Sequence, residues 1–93
     1  MAVTIKFVGA LRHASGASTI VVNCEDCSVK DLICRITETS PELKLYLVAE
    51  EPKDMRPNAL VLVNGREISV LDGLQTGLKD GDEVVFVPVV HGG

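Results

Sequence analysis

The chain has 93 residues, 46% of them hydrophobic but only 3% aromatic, with a formal net charge of −4. That length supports one small domain with an aliphatic core, burying about 60–70% of its unfolded surface without metals or disulfides. The acid excess and scarcity of stacking rings argue against direct nucleic-acid binding; the lack of an apolar run near ~20 residues or of a signal peptide argues against membrane insertion and predicts a cytoplasmic protein.

Val3, Ile5 and Phe7 alternate with Thr4 and Lys6, the period of a strand with one buried face. Gly9 and Gly16 then bracket a predicted loop in which His13 is solvated, and residues 18–22 form a second strand, so the short connection predicts a hairpin. Cys24-Glu25-Asp26-Cys27 has the two-residue spacing of zinc and redox motifs, with Cys34 as a third thiol. Zinc takes four ligands and no second pair follows, so the reading is three incidental, reduced cysteines and no metal site.

Ser28 and Asp31 have the spacing of a capping box with a shortened acid, and Val29, Leu32, Ile33 and Ile36 recur at helical spacing. That helix should end near Ser40, because Pro41 disfavours helical geometry in the residue before it. Residues 42–48 suit a short further turn of helix, and residues 50–57, charged and containing Pro52 and Pro57, an exposed loop.

Residues 60–63 form a strand, Asn64-Gly65 a tight turn with positive φ at both positions, and Arg66, Glu67 and Ile68 the returning strand. Asp80-Gly81 marks another turn, with the neighbouring Asp82 and Glu83 expected to be solvated. Residues 84–87 are apolar throughout, the pattern of a central strand. In it Val84 and Phe86 would face the helix and Val85 and Val87 the other side. The order of elements predicts an α+β domain in which Val29, Leu32, Ile33 and Ile36 pack on a mixed sheet containing Val3, Ile5, Phe7, Val84 and Phe86.

The chain ends Val87-Pro88-Val89-Val90-His91-Gly92-Gly93. A main-chain carboxylate on Gly93, at the end of a stem without side chains, suits a narrow channel. A carboxylate is a poor electrophile, and no Gly-Lys-Ser/Thr phosphate loop is present to activate it from within the chain. His91 lies beside the reacting end, but a flexible tail holds no residue in general-base geometry, so its expected role is recognition.

Taken in order, these features resemble the ubiquitin-like sulfur carriers of the MoaD/ThiS-like kind, which have the β-grasp fold. The residues that carry the resemblance are Leu60 with Val61, Leu62, Val63, Asn64, Gly65, Arg66 and Glu67, then Leu78, Lys79, Asp80, Gly81, Asp82, Glu83 and Val84, then Gly92 and Gly93. Looser support comes from Ile5, Lys6, Phe7, Leu11, Arg12 and Gly16, and from Val29, Asp31 and Leu32 of the helix. The resemblance implies a β-grasp domain over residues 1–88, with a mixed sheet of four to five strands on one main helix, and a flexible tail over residues 89–93.

It also implies that an E1-like or MoeB-like adenylating enzyme uses ATP to activate Gly93, and that a persulfide enzyme supplies sulfur to make a terminal thiocarboxylate. The chain would be a co-substrate and not an enzyme, with no bound cofactor. Gly92 and His91 would serve tail recognition, and Leu60 and Leu62 would join Val85 and Val87 on an outer face that binds the partner.

Within the family the chain is similar both to the small subunit of molybdopterin synthase and to the ubiquitin-related modifier of transfer-RNA thiolation. His91, the single proline at Pro88 and the added segment at residues 50–58 bring it nearer the second. The sulfur would pass to a transfer-RNA thiolation enzyme, to the molybdopterin synthase large subunit or to thiamine synthesis. The other readings are a protein modifier joined through Gly93 to lysines, a synthase subunit whose tail stays in its partner's active site, and a binding module with an inert tail.

Overall fold

Alternating apolar residues build β1 (Ala2–Phe7), which pairs antiparallel with β2 (Thr19–Asn23) from Ala2↔Asn23 to Lys6↔Thr19. A computed structural model describes residues 1–38, 40–47 and 59–88. The predicted loop between the first two strands is instead a short helix, α1 (Ala10–Ser15), bracketed by Gly9 and Gly16. Leu11 and Ala14, three residues apart, are buried on its inner side, and this burial overrides the loop-like flanks. His13 rides exposed on that helix.

The main helix, α2 (Val29–Glu38), begins at the expected capping box. Asp31 N–H donates to Ser28 Oγ at 3.2 Å, while Ser28 N–H donates back to the Asp31 carboxylate at 3.0 Å. These bonds satisfy a donor at the open first turn and hold the entering chain. A third helix, α3 (Pro41–Leu47), follows where a turn of helix was expected; Leu43 and Leu47 are buried, and Ser40 Oγ accepts from Leu43 N–H while donating to the Ala14 carbonyl. The predicted loop at residues 50–57 lies outside the described residues.

Strand β3 (Ala59–Val63) turns through Asn64 (φ 50°) and Gly65 (φ 83°) into the short β4 (Arg66–Glu67), as the Asn-Gly pair predicts. Ile68 does not extend that strand but opens a 3₁₀ turn over Ile68–Val70. Strand β5 (Glu83–Pro88) runs parallel to β1 and antiparallel to β3. It is central in a five-stranded mixed sheet of order β2-β1-β5-β3-β4.

The helices among the described residues lie on one side, and the core forms there. Val3, Ile5, Leu32, Val84 and Phe86 are fully buried, Ile33 and Ile36 nearly so, and the rings of Phe7 and Phe86 stack at 5.9 Å between centroids. The expected packing of the α2 face on the sheet is therefore the observed one. No helix among the described residues is long and apolar enough to cross a membrane.

Replacing Ser28 by Ala removes the hydroxyl that caps α2 and should lower stability by about 1 kcal/mol in a urea titration. The hydrogen bonds from the Ser28 backbone N–H, and then from its hydroxyl, hold the Asp31 carboxyl below its ordinary range. A depressed carboxyl pKa contributes stability above its unfolded value and loses it as pH falls through the folded one. The difference between parent and Ser28→Ala should therefore shrink as the pH is lowered through the acid range.

Candidate docking face and reactive tail

The sheet face away from the helices is only partly covered. On it Leu60 stands opposite Val87 and Leu62 opposite Val85, so the four residues singled out from sequence form two adjacent cross-strand pairs. Leu60 is 43% exposed and the other three are half-buried. Val8, 44% exposed, extends the patch past the end of β1, where its N–H donates to the Phe86 carbonyl at 3.1 Å. The sequence reading missed Val8; the signal was an apolar residue at an outward position of the alternation that buries Val3, Ile5 and Phe7.

The margin of the patch is charged. Lys6 lies opposite Val85 and pairs with Glu83 at 3.1 Å, and Glu67 lies opposite Leu62. An exposed pair of this kind adds little to stability, but with Glu67 it rims an aliphatic centre, the composition of a surface that takes a protein partner.

The tail leaves from the same end. Pro88, the last residue of β5, pairs with Ala59, and a Cβ built on Gly9 would lie 3.3 Å from Pro88 Cγ. Gly9 also has φ 61°, so both its conformation and this close approach call for glycine. The stem thus starts beside Val8, Leu60 and Val87. His91, Gly92 and Gly93 lie outside the described residues.

The acids near the second turn are not simply solvated as expected. Lys79 N–H donates to the Asp82 carboxylate at 2.7 Å, and Asn64 Nδ2 donates to it at 2.9 Å. Asn64 in turn accepts from Glu83 N–H at 2.9 Å, and Ala2 N–H donates to Asp80 at 2.8 Å. The Asn-Gly and Asp-Gly-Asp turns are one hydrogen-bonded clamp that joins the hairpin, the start of β5 and the start of β1.

Cys24 and Cys27 sit at the opposite pole. Cys24 N–H donates to the Met1 carbonyl, at the beginning of β1, whereas the tail leaves beyond its end. A six-residue strand, roughly 20 Å long, separates the two. Cys24 and Cys27 are buried, and Cys34 is exposed on α2. Burial, then a hydrogen bond with the Cys24 thiol, pushes the Cys27 thiol up to about 12, which leaves it protonated and weakly nucleophilic near neutral pH. Among the described residues no three His, Cys, Asp or Glu side chains converge on a metal position.

The ThiS family model matches residues 5–93, from the first strand through the terminal glycines. The chain belongs to the ThiS family. Small archaeal modifier protein 3 of Haloferax volcanii is 33% identical over 94 residues, covering the whole of both chains. Ubiquitin-related modifier 1 of Schizosaccharomyces pombe is 35% identical over 66 residues, 71% of this chain and 65% of that one. Among solved structures, a chain in the Amycolatopsis orientalis BexX/CysO complex superposes with a TM-score of 0.75 at 28% identity, covering 98% of this chain and 99% of that one. The fold of this ThiS-family chain is the β-grasp, and its family is that of ubiquitin-like sulfur carriers and modifiers.

Proposed function

We propose that this chain is a sulfur carrier that works through the carboxylate of Gly93. The observation that carries the reading is that the family match runs through the terminal glycines, which follow in sequence the strand β5, whose outward residues form part of the apolar patch. An activating enzyme docks on Leu60, Leu62, Val85 and Val87 and draws Gly92 and Gly93 into its ATP site, with His91 serving recognition. The carboxylate oxygen attacks the α-phosphorus of ATP and pyrophosphate leaves. The outer sulfur of a partner persulfide then displaces AMP, and a thiol cleaves the resulting S–S bond to release the thiocarboxylate. The acceptor enzyme thiolates transfer RNA or builds molybdopterin or thiamine.

A second reading is supported by the full-length likeness to an archaeal modifier: the same adenylate passes Gly93 to a lysine amine of another protein. Affinity capture from cells, followed by mass spectrometry of what is bound to Gly93, separates the two. A thiocarboxylate supports the carrier, an isopeptide to lysine supports the modifier, and an unmodified carboxylate under sulfur demand overturns both.

Replacing Leu62 or Val85 by Glu should raise the KM for this chain in adenylation at least about tenfold, because a charge buried in an apolar interface without a partner is costly. Circular dichroism should show both variants folded, since the two side chains lie outside the core. Adenylation at the parental KM by both would show that docking occurs elsewhere.

A further inference from the structure

Strand β2 forms one edge of the sheet. In its ladder with β1, Phe7 N–H donates to the Ser18 carbonyl at 2.9 Å and Cys24 N–H to the Met1 carbonyl at 3.0 Å. Antiparallel neighbours alternate between bonded and non-bonded pairs. The backbone groups of Ser18, Ile20, Val22 and Cys24 therefore face β1, and those of Thr19, Val21 and Asn23 face outward. Edge strands are commonly blunted by lysine, proline, a bulge or a covering segment. Here the edge reads Thr-Ile-Val-Val-Asn, without charge or proline, with Thr19, Val21 and Asn23 exposed and Val21 at 63%. Alongside it runs a groove lined by Ile20, Val22, Ile36 and Leu43 together with Arg35, Ser15 and Ser40.

We propose that β2 pairs antiparallel with β2 of a second copy of this chain, about a two-fold axis at Val21, joining two sheets into one. Val21 then faces its own counterpart and Thr19 faces Asn23, so the three outward residues exchange both backbone bonds with residues of the same kind of edge. The charge distribution selects this antiparallel orientation. Arg12 and His13 share a surface depression with Gly16, Ala17 and Ser18 at the start of β2, while Glu25 and Asp26 follow its end. Antiparallel pairing brings the acidic end of each copy to the basic end of the other, and the symmetry repeats the contact. A parallel pairing would set like charges together. Among the described residues, Arg12, Glu25 and Asp26 have no ion-pair partner that competes with this contact. The inference goes beyond the carrier reading and does not depend on it, because β3 and β5 lie on the far side of β1 from this edge.

Sedimentation velocity on the full chain, from low micromolar to several hundred micromolar, should show a concentration-dependent dimer. Val21→Lys sets two ammonium groups face to face on the axis and should raise the dimer dissociation constant at least roughly tenfold, with an unchanged far-ultraviolet spectrum. Arg12→Glu should weaken the dimer, and Arg12→Glu combined with Glu25→Lys and Asp26→Lys should restore it, because each reversed end again meets its opposite. A chain that stays monomeric throughout the range overturns the proposal. So does a dimer that Arg12→Glu leaves intact, a result that decides the matter even if Val21→Lys fails to fold.

Discussion

Deleting Gly93 should abolish sulfur transfer while leaving the melting temperature almost unchanged. The shortened chain still ends in a glycine carboxylate, so the chemistry of the group is preserved. Its position is not, because one residue of extended chain spans about 3.5 Å. A displacement of even ~1 Å from attack geometry can cost roughly a hundredfold in rate. Adenylation should therefore fall by at least that factor, and sulfur transfer should drop below detection. The last described residue of the strand, Pro88, is held by its pairing with Ala59 and by Gly9, and the deletion touches neither contact. Removing a residue that carries no side chain should change stability by no more than about 0.5 kcal/mol, or about 2–4 °C in the melt. Full transfer activity in the shortened protein would show that the carboxylate of Gly93 is not the group that carries the sulfur.

Incubated with its activating enzyme, ATP and a persulfide source, the intact protein should first form an acyl-adenylate at Gly93. It should then gain the mass of one sulfur in exchange for one oxygen. Hydroxylamine should intercept the first species as a hydroxamate, because a mixed anhydride is a much better electrophile than a carboxylate. Replacing Cys24, Cys27 and Cys34 by Ser should leave the exchange intact. Cys24 and Cys27 lie a strand's length from the stem of the tail, and the raised Cys27 thiol is a poor nucleophile. Sulfur found on one of those thiols, and lost in the Ser variant, would show that Gly93 is not its carrier.

What could be read from the sequence was set by short-range physics. The α2 face followed from the spacing of Val29, Leu32, Ile33 and Ile36, and its start from the Ser28–Asp31 box. The Asn64-Gly65 turn followed from the two residues that most readily take positive φ, and the central place of β5 from its unbroken apolar run. In and out positions along β5 followed from the period of a strand, while the placing of Leu60 and Leu62 on the same face as Val85 and Val87 came from the family resemblance, and the register of β3 with β5 agrees with it.

Tertiary structure decided what depends on residues distant in the chain. Whether residues 10–15 form a loop or a helix turns on burial of Leu11 and Ala14 against the sheet and α3, which outweighs weak local propensity. Asp82 looked like a solvated acid because Asn64, its partner, is 18 residues away. Gly9 read as a simple breaker, yet its place is set by Pro88 at the base of the tail. Likewise Val8 joined the outward apolar patch, and β2 became an edge, only when the parallel pairing of β1 with β5 had ordered the sheet. Local pattern carries the period of an element and the chemistry of its ends; which neighbours it meets is settled by a packing of the whole chain that no short window contains.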